Sequence, residues 1–416
     1  MLHPRLEAAF AALDACSVQW CLIRLPKHPE APTGDVDILL NPGDVELARG
    51  VLAGSGFVAV PGWTGAPTLL LADYDAATGC WLVLELQTTL VFGRRAELTT
   101  DAAAACLAGR RQSGGAWTLD PDDDFWALLL HCVLDGEAFH PVYRDRLVRA
   151  AGSVGLDGPL ARLLRDLGDA DIAPARLREL AGAADWDGLL RLGPVIRRAW
   201  LDRLGFRRRA RDAAGRMLRA LRRLFLAPRR RGLSVAILGP DGAGKSTLAR
   251  DIAAGFPFEG RPIYMGLWPA RPPRRRSLPG AAQTLRPFTI WDRYLRAQAQ
   301  RAMGHLVVFD RYTYDADLPP RPPFIRLKRL YFWLLAHAIP SPQLLILLDA
   351  PADVLHARRP EMDPLELERD RASFLGLIRR LPKIEVVDAN RPGDAVRADV
   401  SDRIWRRYAA RWAAIE

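Results

Sequence analysis

Five cysteines in 416 residues (Cys16, Cys21, Cys80, Cys106 and Cys132) are odd in number and irregularly spaced. That excludes a disulfide framework, and with no CxxC pair it excludes the usual zinc sites. They read as buried thiols of a reducing compartment. No apolar run reaches the roughly 20 residues of a membrane span. The most apolar stretch, LYFWLLAHAIP from Leu330 to Pro340, contains His337 and ends at proline, so it reads as a buried helix. The N-terminus lacks the basic, apolar, small-residue order of a signal peptide. Together these absences predict a cytoplasmic protein. No internal repeat is visible.

Charge is uneven. The formal net charge is +11, but Arg207 to Arg231 holds eleven arginines and one acid, Asp212, for +10 on its own. The remainder is near neutral, so there is no strong nucleic-acid signal. Met217, Leu218, Leu221, Leu224 and Phe225 share one helical face of this segment. Two readings stand: a linker helix that packs its leucine stripe on a domain, or a basic amphipathic helix lying on an anionic membrane or polymer. The first is the simpler.

The length calls for two or three domains. Residues 1–115 mix short helices with strand-like runs such as VDILL and WLVLELQ, an α+β pattern. Residues 116–206 change to helical spacing, beginning at DDDFWALLLHCVLDG, and form a helical subdomain. The arginine-rich linker, 207–231, follows. From 232 to 416 the runs LSVAIL, PIYMG, HLVVFD, QLLILLD and KIEVVD alternate with helical stretches. Continuous apolar strands alternating with helices predict an α/β unit, a parallel sheet covered on both faces.

The most informative stretch is GPDGAGKST. Gly239, Gly244, Lys245 and Ser246 satisfy G-x-x-x-x-G-K-[ST] between a buried strand and an amphipathic helix. Such a loop turns backbone N–H groups onto phosphate oxygens, adds a lysine at the β- and γ-phosphates, and offers a hydroxyl to magnesium. The helix that follows sets its positive end at the same place. Candidate nucleotide contacts are Gly239, Asp241, Gly242, Ala243, Gly244, Lys245, Ser246 and Thr247, with ATP and Mg as cofactors.

GPDGAGKSTLA, VVFDRYTYD, PQLLILLDAPADVLHARRPE and VVDANRPGDAV follow one another in the order and spacing of thymidylate kinase, which the last 185 residues or so resemble. The resemblance implies that Arg311 contacts an acceptor phosphate and that Asp310 organises magnesium. It implies lid arginines at Arg358 and Arg359, with Arg369 and Arg371 as second choices, and an adenine-packing loop in DANRPG with Asn390 and Arg391. The family's Arg-Glu-Pro-Gly-Gly stretch and its Tyr-Gln pair are absent, which removes support for a thymine pocket. Arg271, Arg274, Arg275, Arg276 and Arg321 occupy those loops instead. Arginines suit planar anions, so the expected acceptor is an anionic small molecule, a nucleotide or sugar phosphate.

In GDVDILL, Asp35 and Asp37 fall on one face of a strand, because side chains alternate. Paired carboxylates call for a cation, as in two-metal nucleotidyl transfer. Glu85, in WLVLELQTTL, is the candidate third ligand. This order resembles the polymerase-beta-like nucleotidyltransferase superfamily, whose Gly-Ser or Gly-Gly pair is missing here; Arg24 and Lys27 are the available substitutes. An active transferase, a degenerate substrate-binding domain and an ordinary edge strand all remain open. His131 and His140 read as structural. Arg144 and Asp145 resemble a feature of helical domains fused to such units, without an assigned chemistry.

The expected function is an ATP- and Mg-dependent phosphotransferase. The alternatives are a metal-dependent nucleotidyltransferase with a regulatory phosphate-loop domain, or a nucleotide-switched binding protein at a membrane or polymer.

Overall fold

The computed structural model describes residues 2–60, 68–94, 96–135, 139–226, 232–267, 281–317, 326, 330–331, 333–334, 339–381 and 383–413. They divide into two compact units, Met1–Asp73 with Cys80–Arg223, and Tyr74–Gly79 with Leu224–Glu416.

The first unit is built on a seven-stranded sheet. Its strands are β1 (Trp20–Leu22), β2 (Asp35–Leu40), β3 (Val58–Val60), β4 (Leu69–Asp75), β5 (Cys80–Gln87), β8 (Arg111–Ser113) and β9 (Ala116–Thr118). Their order is β3-β4-β5-β2-β1-β9-β8, and a short pair, β6 (Val91–Phe92) and β7 (Leu98–Thr99), stands apart. Alternation along each strand sends side chains to two separate cores. Trp20, Leu22, Val36, Ile38, Leu84 and Leu86 meet Leu6, Phe10 and Leu13 of α1 (Pro4–Ala15) and Leu52 of α2 (Val45–Gly54). Cys21, Ile23 and Leu39 face the other way. They join a helical layer: Leu107 of α3 (Ala103–Ala108), Trp126 and Leu129 of α4 (Pro121–Leu134), Leu147 of α5 (Pro141–Ala151), Leu160 of α6 (Pro159–Arg165) and Leu177 of α7 (Pro174–Gly182). Asp35, Asp37, Glu85 and Gln87 have the parity of this second face.

Asp120 caps α4 by accepting from the Asp122 backbone N–H at 3.1 Å. The buried Asp123 accepts from the Leu160 N–H at 3.1 Å and ties α4 to α6. α8 (Trp186–Leu226) breaks at Gly205, where φ is +66°. The arginine-rich stretch begins just beyond that break. Met217 and Leu218 are exposed rather than packed, so the buried stripe expected for a linker helix is not seen at these two positions. Leu221, Leu224 and Phe225 have no described side-chain placement.

The second unit is a five-stranded, all-parallel sheet of β10 (Ser234–Leu238), β11 (Gly260–Tyr264), β12 (Leu306–Asp310), β13 (Leu344–Asp349) and β14 (Ile384–Asp388), in the order β11-β12-β10-β13-β14. Ala236, Leu238, Val307, Phe309, Leu345 and Leu347 form one core with Ile290 and Ala297 of α10 (Ala281–Ala302) and with Phe374. The alternate residues Val235, Ile237, Val308, Ile346 and Leu348 are buried too, as a sheet covered on both faces requires. Helix α9 (Lys245–Gly255) follows β10, and α11 (Ala352–Arg358), α12 (Pro364–Gly376) and α13 (Gly393–Ala413) belong to the same unit.

Two sequence expectations need correction. Cys16 is exposed and Cys80 half-buried; only Cys21, Cys106 and Cys132 are buried thiols, with Cys21 and Cys132 each pushed up to about 12 by burial. Leu330, Trp333 and Leu334 are exposed, so the 330–340 stretch is not a buried helix at these positions. Among the described residues, no helix is long and apolar enough to cross a membrane.

Candidate active site

The second unit brings its chemistry to the C-terminal ends of β10 and β12. Beyond Leu238 the chain turns through Gly239 (φ +141°), Gly242 (φ +89°) and Gly244 (φ +89°), backbone that L side chains rarely adopt. A Cβ on Gly239 would lie 2.5 Å from the Leu348 carbonyl oxygen of β13. Glycine is therefore demanded here by space as well as by φ. Lys245 opens α9 and is only 5% exposed. Its Nζ donates to the Pro240 carbonyl at 2.7 Å and to Asp241 Oδ1 at 3.3 Å. Burial and the neighbouring Arg311 cation hold the lysine below its ordinary pKa. Ser246 and Thr247, the next two residues of α9, are exposed.

Asp310 ends β12, and Arg311 follows it. Asp310 pairs in register with Ile237 and with Tyr264 of the flanking strands. Arg311 takes a left-handed φ of +68°, and its N–H donates to the Ile237 carbonyl at 3.1 Å. A non-glycine residue in this region is strained, and such strain is found where surroundings over-determine a functional side chain. The surroundings here are specific. Arg311 Nη2 donates to Asp241 Oδ1, and Nη1 stands 3.6 Å from Asp315 Oδ2. Gly266 leaves room beside it: a Cβ there would meet the Arg311 Cδ at 2.8 Å and the Tyr264 ring.

Asp315 closes the stretch VVFDRYTYD, in which only Asp310 and Arg311 have an implied role. It lies in the 3-10 turn Thr313–Asp317, and its side chain is 8% exposed. Burial pushes its carboxyl up to about 6, opposed by Arg311 and Lys245. Asp241 goes the other way: burial would raise it, but Lys245 and Arg311 hold it below the usual carboxylate range. The signal available in the sequence was an acid directly after Tyr312 and Tyr314, two rings that are themselves buried.

Asp310 Oδ1 and Asp315 Oδ1 are buried and, among the described residues, have no hydrogen-bond partner. Buried polar atoms are nearly always satisfied, so bare carboxylate oxygens beside a phosphate loop fit a cation or its bound water. Asp310 with Ser246 thus has the chemistry to hold magnesium.

The other expected residues separate. Arg359 ion-pairs with Glu361, and its Cγ would be 3.4 Å from a Cβ on Gly242, so it stands against the phosphate loop. Arg358 donates to the Ala389 carbonyl at 3.0 Å and so reaches the 388–393 loop. In that loop Asn390 N–H is held by Asp388, and Arg391 by the Asp388 carbonyl and Asp399. Arg371 differs: it makes two hydrogen bonds to Asp349, at 2.7 and 2.9 Å, and that pairing holds it above its ordinary pKa. A guanidinium committed to a strand-end carboxylate is not a free lid arginine. Arg369 is exposed, with no contact to the loop described. Arg271, Arg274, Arg275, Arg276 and Arg321 lie outside the described residues.

In the first unit β2 and β5 run parallel with Asp37 opposite Glu85, so the three expected carboxylates share one patch. Burial, then Asp37, pushes Glu85 up to about 7, and burial also raises Asp35. Arg24 donates to Asp37 Oδ2 at 2.5 Å and Gln87 Nε2 to Oδ1 at 3.2 Å. Lys27 Nζ lies 5.1 Å from the centre of the Tyr143 ring. Among the described residues, no group of three histidine, cysteine or acidic side chains is placed to hold a metal ion. His131 pairs with Asp135 at 2.9 Å and His140 caps α5; both have structural partners. The Arg144 guanidinium lies 5.7 Å from the centre of the Trp186 ring, and no chemistry attaches to Asp145.

No family model matches the chain. Over 185 residues it is 32% identical to the thymidylate kinase of Xanthomonas campestris pv. campestris (strain B100), covering 40% of this chain and 79% of that protein. Over 184 residues it is 33% identical to the thymidylate kinase of Xanthomonas oryzae pv. oryzae (strain PXO99A), with the same coverage. Among solved structures, thymidylate kinase from Candida albicans aligns at a TM-score of 0.36 and 19% identity, over 43% of this chain and 93% of that one. Deoxyadenosine kinase from M. mycoides with bound dATP aligns at 0.30 and 13%, over 41% and 98%.

Proposed function

Because the chain belongs to the thymidylate kinase family, a membership matched over 40% of its length, we propose that it is an ATP- and magnesium-dependent kinase of a small anionic acceptor. The observation that supports this most is the convergence of Lys245, Arg311 and the bare oxygen of Asp310 at one end of the parallel sheet. Phosphoryl transfer asks for positioning, charge neutralisation and exclusion of water rather than covalent help. Lys245, released from Pro240 and Asp241, would turn to the β- and γ-phosphates. The loop N–H groups would bind their oxygens, and Arg358 and Arg359 would approach from the 358–361 turn. Ser246 and Asp310 would hold magnesium, which neutralises phosphate charge when bound.

Arg311 is the described cation best placed for an acceptor phosphate, and Asp241 with Asp315 keeps it in that place. Thymidylate itself is not the inferred acceptor, since the stretches that would read thymine are replaced by arginine- and proline-rich sequence. The test is transfer of label from γ-labelled ATP to a panel of nucleoside monophosphates and sugar phosphates, with and without magnesium. Wild type should label at least one acceptor, and Lys245→Ala should reduce the rate by about 10² or more. Equal labelling by both proteins, or labelling of none, would overturn the reading.

A further inference from the structure

The polymerase-beta-like resemblance implies a divalent cation among Asp35, Asp37 and Glu85, and the residues do not fit one. Asp37 is the centre of that patch, in register with Glu85 and one alternation from Asp35. It is 7% exposed, and both of its carboxylate oxygens are already taken. Oδ2 accepts from the Arg24 guanidinium at 2.5 Å and Oδ1 from the Gln87 amide at 3.2 Å. A metal at Asp37 would have to displace a charge-assisted hydrogen bond and meet a fixed positive charge at contact distance. Arg24 is held from more than one side, with Asp37 and Asp135 both favouring its charged form.

We propose that Arg24 is the resident cation of this patch, standing where the resemblance puts a metal, so that the first unit is a metal-independent module. Removing one partner of a buried charge pair leaves the other uncompensated. Without Arg24, the patch of Asp35, Asp37 and Glu85 becomes an uncompensated carboxylate cluster and gains affinity for a divalent ion. The kinase reading of the second unit is untouched by this, since it rests on Lys245, Asp310 and Arg311.

The experiment is Mn²⁺ binding to the full chain without nucleotide, followed by loss of the free-ion electron paramagnetic resonance signal. The readout is the part of binding that depends on Asp37. Wild type and Asp37→Asn should bind the same amount of Mn²⁺. Arg24→Gln should bind about one equivalent more than Arg24→Gln/Asp37→Asn, and Mn²⁺ should raise its melting temperature more than that of Arg24→Gln/Asp37→Asn. Arg24→Leu, which keeps the apolar stem, replaces Arg24→Gln if that variant does not fold. Asp37-dependent Mn²⁺ binding by wild type would overturn the proposal, and this arm needs no Arg24 variant. A folded Arg24 variant with no Asp37-dependent Mn²⁺ would overturn it equally.

Discussion

Replacing Asp315 by Asn tests whether the arginine clasp of the second unit stands on a strained carboxylate. The side chain is buried, and it faces Arg311, Lys245 and Asp241 across the phosphate loop and Tyr264 from the neighbouring strand. Its carboxyl moves from an ordinary 3.8 to about 6 on folding. A carboxyl raised in the folded state contributes stability that is fully present below its unfolded value and lost as pH rises through its folded value. At about 1.4 kcal/mol per pH unit, the loss by pH 7.5 is about 3 kcal/mol. Asparagine keeps the shape and carries no charge. The variant should therefore match wild type near pH 4 and be more stable by about 3 kcal/mol at pH 7.5. Native-state hydrogen exchange on peptides covering 304–310, read by mass spectrometry, isolates this unit. Comparing the two proteins at each pH cancels the intrinsic exchange rate. Exchange in β12 should be slower in the variant by about 10² at pH 7.5, with the gap closing toward pH 4. A gap that does not change with pH, or a variant less stable at pH 7.5, would refute the reasoning. The first result would mean that the Arg311 ion pair just offsets the burial of Asp315, and the second that it more than offsets it.

Gly239→Ala should abolish the rise in melting temperature that Mg·ATP gives wild type, and should cost about 1–3 kcal/mol of stability from backbone strain alone. Thermal melts with and without nucleotide check both. Arg371→Ala should destabilise the second unit by roughly 1.5–3 kcal/mol through loss of its charged hydrogen bonds to Asp349. A variant with unchanged stability but a strongly reduced turnover would instead make it a lid residue. Gly266→Ala should push Arg311 from its place, raising the acceptor KM more than the ATP KM in steady-state kinetics; equal effects would count against Arg311 as the acceptor's cation.

How far the sequence carried depends on whether a feature is local. The phosphate loop needs glycines at positive φ between a strand and a helix, and Gly239, Gly242 and Gly244 supply that within six residues. The parity of Asp35, Asp37 and Glu85 was equally legible, because period two along a strand and a parallel partner place them on one face. The occupants of that patch were not. Arg24 follows β1, thirteen residues before Asp37, and nothing in periodicity says that its guanidinium folds back onto β2. Arg371 shows the same limit, since arginines on a helix look alike until Asp349 is found 22 residues away in sequence and 2.7 Å away in space. Asp315 was missed because its meaning comes from Lys245 and Asp241, which belong to another element.

Both units set an arginine against paired aspartates, and the difference between them lies in which oxygens are satisfied. In the first unit Arg24 and Gln87 together close both oxygens of Asp37. In the second, Asp241 and Asp315 share Arg311, while Asp315 Oδ1 and Asp310 Oδ1 are left bare and buried among the described residues. Desolvating a carboxylate oxygen without a partner costs about 1–3 kcal/mol or more. A fold that closes one such cluster and leaves the other open, beside a buried lysine and a strained arginine, is stabilised in the first case and kept ready for charge in the second. On the kinase reading proposed above, the chemistry of the second unit falls to Lys245, Asp310 and Arg311, beside the bare oxygens of Asp310 and Asp315.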